Sequence, residues 1–266
     1  MEQSRAKFIK NLLVGATSVP LIIEACKKDS ISNGSSSTSD STSTTTTTSD
    51  CVVAPTEEEG PFPYTPDGTT KDEISNPLNR SDIRTDVSSD SDNGILQTGI
   101  PLTITLTIVN TNNSCAAVSG TRVDIWHCNR NGWYSGYGNQ SGGLSGTVNS
   151  YIGETWLRGY QLSDSDGKIQ FTTIYPGWYQ GRATHVHFEV FINGVLKKIT
   201  QMAFPETISD VVHVTSLYAA HGVNTTRNAN DSVFGNSATD LANETFTITG
   251  DTTNGYTATH QIGLAL

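Results

Sequence analysis

Residues 101–110 read Pro-Leu-Thr-Ile-Thr-Leu-Thr-Ile-Val-Asn, with apolar side chains alternating with threonine at period two. Successive side chains of a strand point to opposite faces, so this run can bury one face and solvate the other. Further β-rich runs follow at Arg122–Cys128, Lys168–Tyr175, Thr184–Ile192, Lys197–Phe204 and Glu244–Thr249. Turn chemistry separates them at Asp164-Ser-Asp-Gly167, Asn193-Gly194 and Gly250-Asp251. Short strands at such spacing predict an all-β chain, a β-sandwich of mostly antiparallel strands with long loops. Asn193-Gly194 between two strand runs predicts a hairpin. Residues 205–240 lack clear periodicity and are expected to be mostly long loops.

The sandwich is expected to span residues 51–266, because the chain before it has a different character. In residues 1–26, Arg5, Lys7 and Lys10 precede an apolar run, Leu12–Ile23, which ends shortly before Cys26. A basic start followed by a short apolar run predicts a signal peptide, here with a lipidation-type cysteine. Residues 27–50 are rich in Ser and Thr and have too little apolar surface to offset ordering entropy, which predicts a flexible linker. The expected location is outside the cytoplasm, as a membrane-anchored lipoprotein (periplasmic or cell-surface) or a secreted protein. Membrane contact is then made only through lipid on Cys26. A net charge of −10 argues against nucleic acid as a partner. Besides Cys26 there are Cys51, Cys115 and Cys128. Outside the cytoplasm a pair of these is expected to oxidise, and the spacing leaves the pairing open.

The chemistry concentrates around Thr184-His-Val-His-Phe-Glu189. On a strand His185 and His187 share a face, and two imidazoles at this spacing can chelate one metal ion. A lone His-x-His is also compatible with two hydrogen-bonded, partly buried histidines. Glu189 lies on the same face, so a site of His185, His187 and Glu189 for Zn or Fe(II) is one completion. Tyrosines offer another, from Gly132-Trp-Tyr-Ser135 and Pro176-Gly-Trp-Tyr179. A phenolate is a hard anionic donor, and two phenolates with two imidazoles favour Fe(III). A surface sandwich that binds a ligand without catalysis is a third reading. His127 is expected to pack or to support a ligand, His213, His221 and His260 to be structural or surface, and Trp133 and Trp178 to line a pocket or the core.

Cys51-Val-Val-Ala-Pro-Thr-Glu-Glu-Glu-Gly-Pro-Phe62, Val123-Asp-Ile-Trp-His-Cys-Asn129, Gly132–Ser135, Pro176–Tyr179, Gly181-Arg-Ala-Thr-His-Val-His-Phe188 and Thr200-Gln201 stand in an order that resembles the intradiol ring-cleavage dioxygenases. That family includes catechol, hydroxyquinol and protocatechuate dioxygenases. The resemblance runs from Cys51 to Phe204. It implies Fe(III) held by Tyr134, Tyr179, His185 and His187, a small aromatic diol and O2 as substrates, and a muconate-type diacid as product. Tyr179 would leave the metal on substrate binding and accept a proton, and Arg182 would stabilise charge on the substrate. The chain is similar to a smaller secreted branch, which implies a Cys51–Cys115 disulfide and a buried Cys128. Gln201 matches a family glutamine near the substrate, yet the hairpin argues otherwise. An ideal two-residue turn sets His187 opposite Thr200 and turns Gln201 away. A bulge shifting the register by one would bring Gln201 to the site.

Overall fold

The computed structural model describes residues 51–63, 78–87, 96–144 and 150–266, all within one compact unit, Thr47–Leu266. The signal peptide expected at 1–26, with Cys26, and the linker expected at 27–50 lie outside the described residues. The elements in chain order are β1 (Pro101–Asn110), β2 (Ala116–Ala117), β3 (Arg122–Trp126), β4 (Arg158–Leu162), β5 (Lys168–Ile174), β6 (His185–Ile192) and β7 (Val195–Ala203). They are followed by helices α1 (Glu206–His213) and α2 (Ala238–Asn243), then β8 (Thr247–Asp251) and β9 (Gly255–Leu264). Among the described residues the strands form two sheets, as an all-β sandwich requires.

In one sheet the order is β2-β1-β9-β8, with β5 also pairing β1. Here β9 runs parallel to β1 along Leu102–Asn110, while β5 and β2 pair with it antiparallel. The other sheet has the order β4-β3-β6-β7, antiparallel throughout. The alternation in β1 decides what is buried. Leu102, Ile104, Leu106 and Ile108 enter the core with Phe171, Ala258 and Ile262 from their own sheet. From the facing sheet come Val123, Ile125, Val186, Phe188, Val190 and Met202. Each of these aliphatic, methionine and phenylalanine side chains other than Ala258 contributes about 1.5–3 kcal/mol on full burial.

Since Val186 and Phe188 point into this core, His185 and His187 point to the opposite face of their sheet. Loops cover that face as well, so residues 185–190 are all buried. The sequence reading missed β4 and β9, whose polar and glycine-containing runs carry little apolar alternation. It also expected loops where α1 forms, with Glu206 in its first turn complementing the positive end of the helix dipole.

Cys51 and Cys115 form a disulfide with Cα atoms 5.7 Å apart, and Cys128 is free and buried. The bond closes a 64-residue separation, and loop-closure entropy assigns such a crosslink roughly 4 kcal/mol. Cys115→Ser is therefore expected to lower unfolding free energy by ~2–4 kcal/mol in denaturant titration, without loss of the native sheets. A change below ~1 kcal/mol would show that the Val53–Gly263 bridge already pins this end of the domain.

Candidate metal centre

Two strand residues and one loop residue build the centre. His185 Nε2 and His187 Nε2 are 2.9 Å apart, and Tyr134 Oη lies 3.3 Å from the first and 3.0 Å from the second. Donor atoms held ~2.0–2.1 Å from one cation are about 2.9 Å apart at right angles and ~3.4 Å apart at the tetrahedral angle. The three edges fall in that range, so these atoms suit three corners of a single coordination shell. The ring nitrogens support this. His185 Nδ1 lies 2.6 Å from the Ala183 carbonyl, which only a protonated nitrogen can approach as donor. The neutral ring then turns the lone pair of Nε2 into the triangle, the orientation that ligating histidines commonly receive from a backbone carbonyl.

Burial keeps both rings neutral. Desolvation first, then the nearby Arg182, pulls the pKa of His185 down to about 3, and desolvation followed by His185 holds His187 well below its usual value. The bare lone pair of His185 Nε2 thus faces His187 Nε2 at 2.9 Å and Tyr134 Oη at 3.3 Å, a position where a cation can accept it. Tyr134 itself is held above the usual phenol range, chiefly by burial and then by Tyr179. A bound cation reverses that logic and favours the phenolate.

Packing fixes each ring. Trp126 stacks on His187 at 4.7 Å and 9°, and Phe62 stacks on Tyr134 at 4.8 Å. Tyr179 stands edge-on to Tyr134 at 5.8 Å and to His185 at 5.6 Å. Burial pushes the Tyr179 phenol up to about 12, and Arg182 opposes the shift. The loops bearing the two tyrosines meet at Gly132, where a Cβ would come within 2.1 Å of the Trp178 carbonyl oxygen. Only glycine fits there, and its φ of +82° also requires it.

Arg182 reaches the centre from the Tyr179 loop. Its Nη1 donates to Tyr179 Oη at 3.3 Å, its Nη2 to Gln201 Oε1 at 2.7 Å, and its Nε to Asp231 Oδ2 at 2.9 Å. Gln201 thus lies at the centre, and the regular-ladder expectation is corrected. A bulge between Val190 and Phe191 shifts the register, Val190 pairs with Lys198, and His187 pairs with Gln201. For the completion by Glu189, the described residues hold no group of three or more His, Cys, Asp or Glu that could bind a metal; Glu189 lies opposite Asp124 and Ile199, and it is Tyr134 Oη that stands against the two imidazoles.

The other expectations sort by contact. His127 bonds with the Cys128 carbonyl and with Thr173 Oγ1, a packing role. Trp133 is core, beside Trp156, Leu157 and Ile174, whereas Trp178 stacks on His221 at 3.9 Å. His213 is buried beside Tyr175 and Tyr218, and His260 contacts Phe246. Sequence reasoning missed Asp231 and Phe234. The one local signal for Asp231 is its turn chemistry, since Oδ1 accepts from the Val233 N–H two residues on.

The histidine pair on one covered sheet face, met by two tyrosines from neighbouring loops, is a β-sandwich site suited to a metal ion. A family model described as Dioxygenase matches residues 74–232, and the chain belongs to the intradiol ring-cleavage dioxygenases, enzymes that open catechol-type rings. It is similar to the intradiol ring-cleavage dioxygenase from Tetranychus urticae, with 25% identity over 80% of this chain and 94% of that one and a TM-score of 0.63. The dioxygenase domain of a dioxygenase carbohydrate-binding protein fusion from Streptomyces sp. SirexAA-E shares the fold, with 21% identity over 81% of this chain and 99% of that one and a TM-score of 0.50. No curated protein matches the chain.

Proposed function

We propose that the chain is an Fe(III)-dependent intradiol dioxygenase that cleaves a small aromatic diol between its hydroxyl-bearing carbons, using O2 and giving a muconate-type diacid. The observation that carries this reading is the triangle of Tyr134 Oη, His185 Nε2 and His187 Nε2, with edges of 2.9–3.3 Å. Tyr134, Tyr179, His185 and His187 would hold the ion. Bound Fe(III) supplies Lewis acidity toward the diol oxygens. Tyr179, whose Oη accepts from Arg182 Nη1, would take a substrate proton while the guanidinium holds its hydroxyl. Arg182 offers a fixed, buried positive charge where negative charge develops on the substrate. Phe62 packs against both Tyr134 and Tyr179 beside the centre. Metal analysis with a panel of catechols under O2 tests this. About one iron per chain, a visible phenolate-to-metal absorption and diacid product are expected. Colourless, zinc-loaded protein of full activity would overturn it.

We further infer export and a lipid anchor at Cys26. The Cys51–Cys115 disulfide supports an oxidising compartment. Wild-type protein is expected in the membrane fraction, and Cys26→Ser in the soluble exported fraction. Full-length protein in the cytosol would contradict the inference.

A further inference from the structure

We infer that Asp231 is a positioning residue for the reaction, a buried carboxylate that fixes the guanidinium of Arg182 in the plane from which it reaches Tyr179 and Gln201. This rests on the proposed function in taking Arg182 as the group beside the substrate. Asp231 is 2% exposed and accepts from four N–H groups. Oδ2 takes Arg182 Nε at 2.9 Å and the Ala183 N–H at 2.6 Å, and Oδ1 takes the N–H groups of Val233 at 2.8 Å and Phe234 at 3.3 Å. A carboxylate has about four lone-pair sites, so its accepting capacity is full. The pair joins the Tyr179–Arg182 loop to the segment after residue 224, where Asn224 Nδ2 also donates to the Arg182 carbonyl at 2.9 Å.

The geometry assigns distinct tasks to the two edges of the guanidinium. The Nε side is taken by Asp231, and the two terminal nitrogens point to Tyr179 Oη and Gln201 Oε1. With Nε released, rotation about the side chain would no longer keep both terminal contacts. Phe234, 5.8 Å below the guanidinium and 6.3 Å from His185, closes the space on that side and is itself held by the Asp231 bond to its N–H. An asparagine cannot replace Asp231. One amide orientation turns NH2 toward Arg182 Nε and Ala183 N, and the other turns it toward Val233 N and Phe234 N, so donors face donors either way.

The first test needs neither iron nor turnover. In the metal-free protein the Arg182 Nε–H, followed by 15N NMR, is expected to exchange at least ~100-fold more slowly than in a free arginine side chain. Exchange at the free rate in the wild-type protein overturns the proposal, even if every variant fails to fold. The second is a double-mutant cycle on kcat. Asp231→Asn is expected to lower kcat ~30-fold or more at unchanged iron content, but by less than ~3-fold in an Arg182→Met background. An equal loss in both backgrounds means a general structural role and overturns the assignment. A wild-type enzyme without catechol turnover would strike the proposed function alone, and the NMR signal would then decide whether Asp231 holds Arg182.

Discussion

Tyr134→Phe is expected to lose nearly all bound iron and the visible absorption, with a fall of more than ~100-fold in iron affinity. Replacing groups that merely orient a ligand lowers metal affinity by about 10–100-fold, and Tyr134 Oη is itself a corner of the donor triangle. The substitution is clean because the ring stays. Phe62 still stacks on it at 4.8 Å, and Gln140 still holds the residue's backbone from both sides, accepting from its N–H at 2.8 Å and donating to its carbonyl at 2.7 Å. The melting temperature of the metal-free protein should therefore move little. Metal analysis of purified protein, paired with a melting curve, reads both quantities. Iron content equal to wild type would remove Tyr134 from the ligand set. Iron lost together with the fold would show only that the hydroxyl is needed for packing.

The fold was legible where alternation was strong. Pro101–Asn110 forms the strand its threonines and aliphatics prescribe, because Leu102, Ile104, Leu106 and Ile108 enter the core while the threonines between them stay partly exposed. It was illegible where pairing rather than side-chain pattern makes the strand. Besides its hairpin with β8, Gly255–Leu264 is held along its length by a parallel ladder to β1, a pairing far apart in sequence that leaves no local mark. Glu206–His213 was hidden for a related reason, since two turns give too few repeats for a 3.6-residue period to stand out.

The centre was legible to a different degree at each residue. His185 and His187 follow from strand alternation alone, and the structure brings their Nε2 atoms together. Tyr134 and Tyr179 stand on loops, where no periodicity fixes direction, so the resemblance pointed to them and geometry from sequence could not. Gln201 shows the limit most plainly. The Asn193-Gly194 turn does set the pairing of Ile192 with Val195, but one extra residue at the bulge beyond it reverses which side chains face the metal centre. A bulge depends on packing across the sheet and leaves no reliable trace in one sequence. Asp231 lay beyond reach because its partner, Arg182, is 49 residues away.

Arg182→Lys is expected to lower kcat by about 10²–10³-fold while leaving iron content unchanged, the range seen when one fixed donor to developing charge is removed. The guanidinium meets three acceptors in three directions, at 2.9 Å to Asp231, 3.3 Å to Tyr179 and 2.7 Å to Gln201. A lysine ammonium keeps the charge but is one point on a flexible stem, so it cannot hold the planar fork. The backbone around it has separate support, since the Arg182 N–H donates to the Tyr179 carbonyl at 3.2 Å and the Arg182 carbonyl accepts from Asn224. The loop and its tyrosine should stay in place, which separates the effect from metal loss. Removal of an interaction used in the transition state lowers kcat and kcat/KM together. If Arg182 served only to bind the diol, KM would rise and kcat would hold. If it served only to hold Tyr179 on the metal, iron content and colour would fall with activity. Steady-state kinetics beside metal analysis on one preparation distinguishes the three, and only a loss of kcat with iron retained fits a guanidinium that acts on the substrate.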